Sequence, residues 1–164
     1  MLSALIVVSC ALSAANAQDN LWTGSTSTDW NTAANWSLGN VPTGQNAIVD
    51  TAPVNIATIS ADISATPNDI VVRGGGRLDH TAGTAGTGGG SWMFVGQNDT
   101  AGTYNLANTG SVAGGITGFA QGTGSLNATG NLLVGAFGDN RTGTVRVNTS
   151  GTLAVSGELF VGDS

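Results

Sequence analysis

Gly143-Thr-Val-Arg-Val-Asn-Thr-Ser-Gly-Thr-Leu-Ala-Val-Ser-Gly-Glu-Leu-Phe-Val-Gly162 is the stretch whose reading decides the fold. Val145 and Val147, Leu153 and Val155, and Leu159 and Val161 alternate at period two, as half-buried strands do. Thr144, Arg146 and Asn148, then Thr152, Ala154 and Ser156, take the opposite face, and Gly143, Gly151 and Gly157 punctuate the pairs. Three short strands and three corners in roughly 20 residues describe a three-sided coil whose inward residues stack along one axis.

The same texture recurs upstream. Gly102-Thr-Tyr-Asn-Leu-Ala-Asn-Thr-Gly-Ser-Val112, Gly122-Thr-Gly-Ser-Leu-Asn-Ala-Thr-Gly-Asn-Leu132 and Gly143-Thr-Val-Arg-Val-Asn-Thr-Ser-Gly-Thr-Leu153 align without a gap, and their opening glycines are almost evenly spaced. The fifth and eleventh places are always aliphatic: Leu106 and Val112, Leu126 and Leu132, Val147 and Leu153. A second signature, Phe94-Val-Gly96, Leu133-Val-Gly135 and Phe160-Val-Gly162, marks one corner. The expectation is an all-β chain: a three-sided parallel β-solenoid, right-handed because parallel crossovers favour that hand. Its core is Leu106, Val112, Leu126, Leu132, Val134, Val145, Val147, Leu153, Val155, Leu159 and Val161. Asn108, Asn127 and Asn148, at near-equivalent places, would form a side-chain ladder at a corner.

Upstream of the repeats lies Leu21-Trp-Thr-Gly-Ser-Thr-Ser-Thr-Asp-Trp30-Asn-Thr-Ala-Ala-Asn-Trp36, which holds three of the four tryptophans. A solenoid must cover the open end of its first coil, and large aromatics do so with few residues. The rival reading makes Trp22, Trp30 and Trp36 a sugar-stacking platform. Period-two stretches at residues 47–50 and 54–59, interrupted by Pro53 and Pro67, read as a first, irregular coil, and the glycine-rich residues 84–91 as a divergent coil with broad turns. The organisation expected is therefore a leader over 1–17, a Trp-rich cap and irregular first coil over 18–66, and a repetitive solenoid over 67–164 that continues into downstream repeats or an anchor.

The leader reads as an export signal: an apolar run from Leu2 to Leu12, too short to span a bilayer, then Ala15-Asn16-Ala17 before Gln18. A competing reading takes Val7-Val8-Ser9-Cys10 as a lipoprotein box with Cys10 the lipidated residue. Cleavage after Ala17 removes the one cysteine and with it any disulfide. The chain has no Lys and one Glu against 26 glycines, a composition that disfavours helices. Its net charge of −6, with Arg73, Arg77, Arg141 and Arg146 the only cations, lacks the basic footprint that nucleic acid requires.

Chemistry-bearing constellations are sparse. His80 is the single imidazole and reads as a solvated turn residue, unable to face its strand neighbour Asp79. The acidic residues are dispersed, although Asp139 and Asp163 both follow a Val-Gly corner and form a weak candidate calcium pair. Gly86-Thr-Gly88-Gly-Gly90 lacks the strand-to-helix setting of a phosphate loop. No catalytic residue and no cofactor is expected.

Taken together, the leader Trp22-Thr-Gly…Asp29-Trp-Asn-Thr-Ala-Ala-Asn-Trp-Ser…Val41-Pro-Thr and the units Gly143-Thr-Val-Arg-Val…Gly151-Thr-Leu-Ala-Val…Gly157-Glu-Leu-Phe-Val-Gly resemble the secreted bacterial proteins built of autotransporter-associated β-strand repeats, the PEP-CTERM and autotransporter passenger type. The resemblance covers nearly all of the chain after the leader and is compositional. It implies an extracellular or cell-surface, structural or adhesive β-solenoid, at the outer membrane of a Gram-negative-type bacterium. The partners it implies are extracellular polysaccharide or cell-surface components. No sorting signal or barrel strands accompany the repeats. The alternative is a secreted β-helix that binds or degrades carbohydrate through its tryptophan cluster.

Overall fold

The computed structural model describes residues 17–51, 53–98, 100–108, 120–138 and 141–162; Cys10 and the apolar run of the leader, Val112, Asp139 and Asp163 fall outside them. Among these residues the chain is all-β apart from one turn of 3-10 helix at Ala33–Asn35. In chain order the strands are β1 (Asp19–Leu21), β2 (Asn46–Asp50), β3 (Ala57–Ile59), β4 (Ile70–Arg73), β5 (Gly76–His80), β6 (Thr84–Gly86) and β7 (Met93–Gln97). They continue as β8 (Ala101–Ala107), β9 (Ser125–Ala128), β10 (Leu132–Ala136), β11 (Thr142–Asn148), β12 (Leu153–Val155) and β13 (Leu159–Val161).

Three sheets result, each wholly parallel. The first runs β1-β2-β4-β7-β10-β13, the second β3-β5-β8-β11 and the third β6-β9-β12. From β4 onward the chain visits first, second and third sheet in unvarying order, an arrangement compatible with a β-helix. The stretch 143–162 contributes to all three, through β11, β12 and β13.

The register corrects the repeat. Gly102 pairs with Gly143 and Leu106 with Val147, as aligned, but residues 122–132 are not a third copy of that unit. Ser125–Ala128 forms β9 in the third sheet, where Leu126 pairs with Leu153. The alignment superimposed strands from two sheets because both are short, glycine-flanked and alternating, a pattern shared by every side of such a stack. The true steps follow the first sheet, where Ala47, Ile70, Met93, Leu132 and Leu159 succeed one another at uneven intervals, the widest between Met93 and Leu132. The Val-Gly signature is a genuine register mark: Phe94, Leu133 and Phe160 are partners, and Gly96, Gly135 and Gly162 all take positive φ at the corner.

Glycine is also required where the second sheet begins. Gly76, Gly102 and Gly143 stand in register, and a Cβ on each would strike the carbonyl oxygen of Val49, Val72 and Val95 respectively. The recurring glycine near the start of these second-sheet strands therefore reflects close approach of one corner to the round before it.

Inside the three sheets lies one apolar core. Val49, Val72, Val95 and Val134 point inward from the first sheet, Leu78, Tyr104 and Leu106 from the second, and Ala85 and Leu126 from the third. A separate apolar row, Ile48, Val71, Phe94 and Leu133 with Phe160 against it, occupies the other face of the first sheet. First-sheet strands thus read as continuous apolar runs, as strands buried on both faces do.

Candidate functional site

The two ends of the stack differ. At the amino-terminal end the indoles of Trp22, Trp30 and Trp36 pack together, with Trp30 and Trp36 edge-to-face at 4.7 Å between centroids and Trp22 and Trp36 likewise at 5.1 Å. Trp36 Nε1 donates to the Trp30 carbonyl at 2.9 Å and Trp22 Nε1 to the Asn55 carbonyl at 2.9 Å. All three rings are buried within the core cluster, so no face is open to a pyranose ring; a platform built from these indoles is corrected on that ground.

Residues 28–37 also meet the edges of the sheets. The Ser37 amide donates to the Leu21 carbonyl at 2.8 Å beside β1, and the Thr58 amide of β3 donates to the Thr28 carbonyl at 2.8 Å. On the third side the Asn31 side chain bridges the Asp62 carbonyl, at 3.0 Å, and the Ser64 amide, at 2.8 Å. The buried Asn35 organises this segment: its Oδ1 accepts the Thr26 and Ser27 amides and its Nδ2 donates to the Asp29 carbonyl. One residue thus satisfies the backbone of a loop that has no ladder of its own.

At the other end β11, β12 and β13 each terminate their sheet. Positions that are sealed one round earlier lie open here. Leu132 is 1% exposed and its partner Leu159 57%, and Leu106 is 0% exposed against 43% for Val147. The floor of this end is an apolar concavity of about 410 Å³, lined by Val134, Val145, Val147, Leu153, Leu159 and Val161 among others.

His80 departs from its expected place. It is wholly buried in β5, not solvated in a turn. A carbonyl oxygen only accepts, so Nε2–H donates to Gly83 O at 3.0 Å and Nδ1 accepts the Tyr104 hydroxyl at 2.9 Å. Burial lowers the imidazole pKa against the opposing pull of nearby backbone hydrogen bonds, and it holds the Tyr104 phenol protonated by raising its pKa. Asp79 does face the other way, as the strand period requires: Arg77 grips both its oxygens at 2.8 Å, and Asn105 donates to it at 2.7 Å. Arg146 continues the row through Asn105 Oδ1 at 3.2 Å.

Two features escaped the sequence. The first is a corner ladder other than the one expected: Asn46 donates to Asp19 at 2.9 Å, Asn68 to Asn46 at 3.0 Å and Ser91 to Asn68 at 2.8 Å. Asn127, by contrast, belongs to the third sheet while Asn148 belongs to the second, so those positions do not form one row. Dissimilar residues a full round apart carry no pattern that a reader of the sequence could see. The second is a partly exposed aromatic group, Trp92 and Phe137 on either side of Phe94, at 5.7 and 6.0 Å between centroids.

Among the described residues no three His, Cys, Asp or Glu side chains lie close enough to share a metal ion, and no helix is long and apolar enough to cross a membrane. Comparison with protein-family models, curated proteins and solved structures found no match for the chain.

Proposed function

We propose that the chain is a right-handed, three-sided β-solenoid that serves as an exported structural or adhesive rod, a passenger-like stalk without enzymatic activity, at the cell surface or outside the cell. The observation that carries this reading is the end-to-end register of three parallel sheets with one end sealed by Trp22, Trp30 and Trp36. Backbone ladders running along the axis on three sides resist bending and leave few loops for a protease. All four arginines are engaged within the chain, Arg73 with Asp50, Arg77 with Asp79, Arg141 with the Gly135 carbonyl and Arg146 with Asn105, which leaves no free basic patch among the described residues. Expression with the native leader in a bacterial host tests the export half. Cleavage after Ala17, read as the intact mass of the exported product, is the expected result, and retention of the full-length chain in the cytoplasm contradicts it.

The exposed rings of Trp92 and Phe137 favour one second reading, contact with extracellular polysaccharide on that face. Retardation of the protein in polysaccharide-containing gels, lost in Trp92→Ala, supports it; equal mobility of the two proteins removes it.

A further inference from the structure

We propose that the outer face of the third sheet holds a binding groove for a neutral polysaccharide chain, with Trp92 beside it. The strand period builds the groove. Ala85 and Leu126 turn inward to the core, so Thr84 and Gly86 of β6 and Ser125 and Asn127 of β9 face outward, with Gly86 beside Asn127 in the register. Gly86 brings no side chain, and the preceding round passes without a strand. Residues 62–66 meet β6 through the Ile63 amide, which donates to the Thr84 carbonyl at 3.0 Å, and through Asp62 Oδ1, which accepts the Thr84 amide at 2.8 Å. A groove of about 350 Å³ is left over Gly86, bounded by Asp62 and Thr66 on one side and by Asn127 and Thr129 on the other. That volume lies within the roughly 300–1,000 Å³ of small-ligand sites.

The lining selects the occupant. The exposed side chains of Thr66, Thr84 and Asn127 have no hydrogen-bond partner among the described residues, and Asp62 Oδ2 is likewise uncommitted. Hydroxyl and amide donors beside carboxylate and amide acceptors match a ligand rich in hydroxyl groups, each of which can donate and accept. No cationic side chain lines the groove, and Asp62 adds negative charge to a chain of net charge −6, so an anionic chain is repelled. An aromatic surface adjoins the polar one. Thr129 is followed by Gly130, and the Trp92 indole rests so closely on Gly130 that a Cβ there would strike its Cδ1. The buried Thr87 ties the two together: its hydroxyl accepts the Thr129 amide at 3.0 Å and donates to the Ser91 carbonyl, next to Trp92, at 2.9 Å. A sugar ring offers an apolar face to an indole that is 36% exposed and hydroxyl groups to the groove. The site rests on the polysaccharide reading of Trp92 above and supplies its polar half; Phe137, on the far side of Phe94, has no part in it.

Affinity electrophoresis of the full chain reads the site, with hydroxyethylcellulose, dextran or mannan in the gel as neutral chains and polygalacturonate as an acidic one. At least one neutral chain should retard the parent while polygalacturonate leaves it unmoved. The double variant Thr84→Val, Asn127→Ala should weaken that retention about fivefold or more, with the β-type circular dichroism of the parent intact, because both side chains are exposed and bond nothing within the chain. Phe137→Ala should be retarded as the parent is. Equal retention of parent and double variant, with loss in Trp92→Ala, overturns the groove and leaves the aromatic reading standing. Stronger retention by polygalacturonate than by every neutral chain also overturns the groove. Unchanged mobility of the parent in every gel removes the polysaccharide reading itself and the groove with it.

Discussion

His80 gives the clearest residue-scale consequence. Its imidazole is neutral in the folded chain with a lowered pKa, and in the unfolded chain it titrates near the ordinary value of about 6.5. The unfolded state therefore binds more protons below that value, and the stability His80 confers is present above pH about 6.5 and lost progressively as pH falls below it toward the lowered pKa of the folded chain. Asp69 acts in the opposite sense: burial, with a contribution from Asp19, raises its pKa against the Trp92 amide bond, so it favours folding as pH drops through its raised pKa. Melting midpoints between pH 7.5 and 5.5 should fall in the parent and stay nearly level in His80→Gln. An equal slope in both proteins would place the titration elsewhere. The glycines discriminate as sharply. Gly102→Ala pushes a methyl group into the Val72 carbonyl and should cost about 1–3 kcal/mol, whereas Gly89→Ala meets open space and should change stability by less than about 0.5 kcal/mol in urea titrations.

At the scale of elements, the amino-terminal segment buries its three indoles in the core. Three of the four tryptophans are buried, so acrylamide should quench mainly Trp92, and polysaccharide should leave the blue-shifted emission of the others unmoved. Trp30→Ala should cost about 3–5 kcal/mol, read by chemical denaturation, because the ring is wholly enclosed. How far such elements could be read in advance depended on periodicity. The strands around Val145, Leu153 and Leu159 were legible because each alternates and each is fenced by glycine. The register between rounds was not legible. Side chains on different sides of the stack obey one pattern, so Leu126 was matched to Leu106 and Val147 when its neighbour is Leu153. His80 was misplaced for a related reason: nothing local announces the Tyr104 hydroxyl that arrives from β8, the neighbouring strand, to satisfy it.

At the scale of the whole molecule, the described residues form three parallel sheets around one apolar core, with the three indoles of the amino-terminal segment packed into it. The central claim is the register between successive rounds. The most direct test places paired nitroxide labels on cysteines introduced into the chain with Cys10 replaced by Ser. One pair occupies Thr103 and Thr144, partners on adjacent strands of the second sheet; the other occupies Thr103 and Thr123, which would be equivalent if the stretches opening at Gly102 and Gly122 were copies of one unit. Adjacent strands lie about 4.8 Å apart, so the first pair should show strong dipolar broadening in the spin resonance spectrum and the second little. Broadening of the Thr103 and Thr123 pair with none between Thr103 and Thr144 would contradict the account.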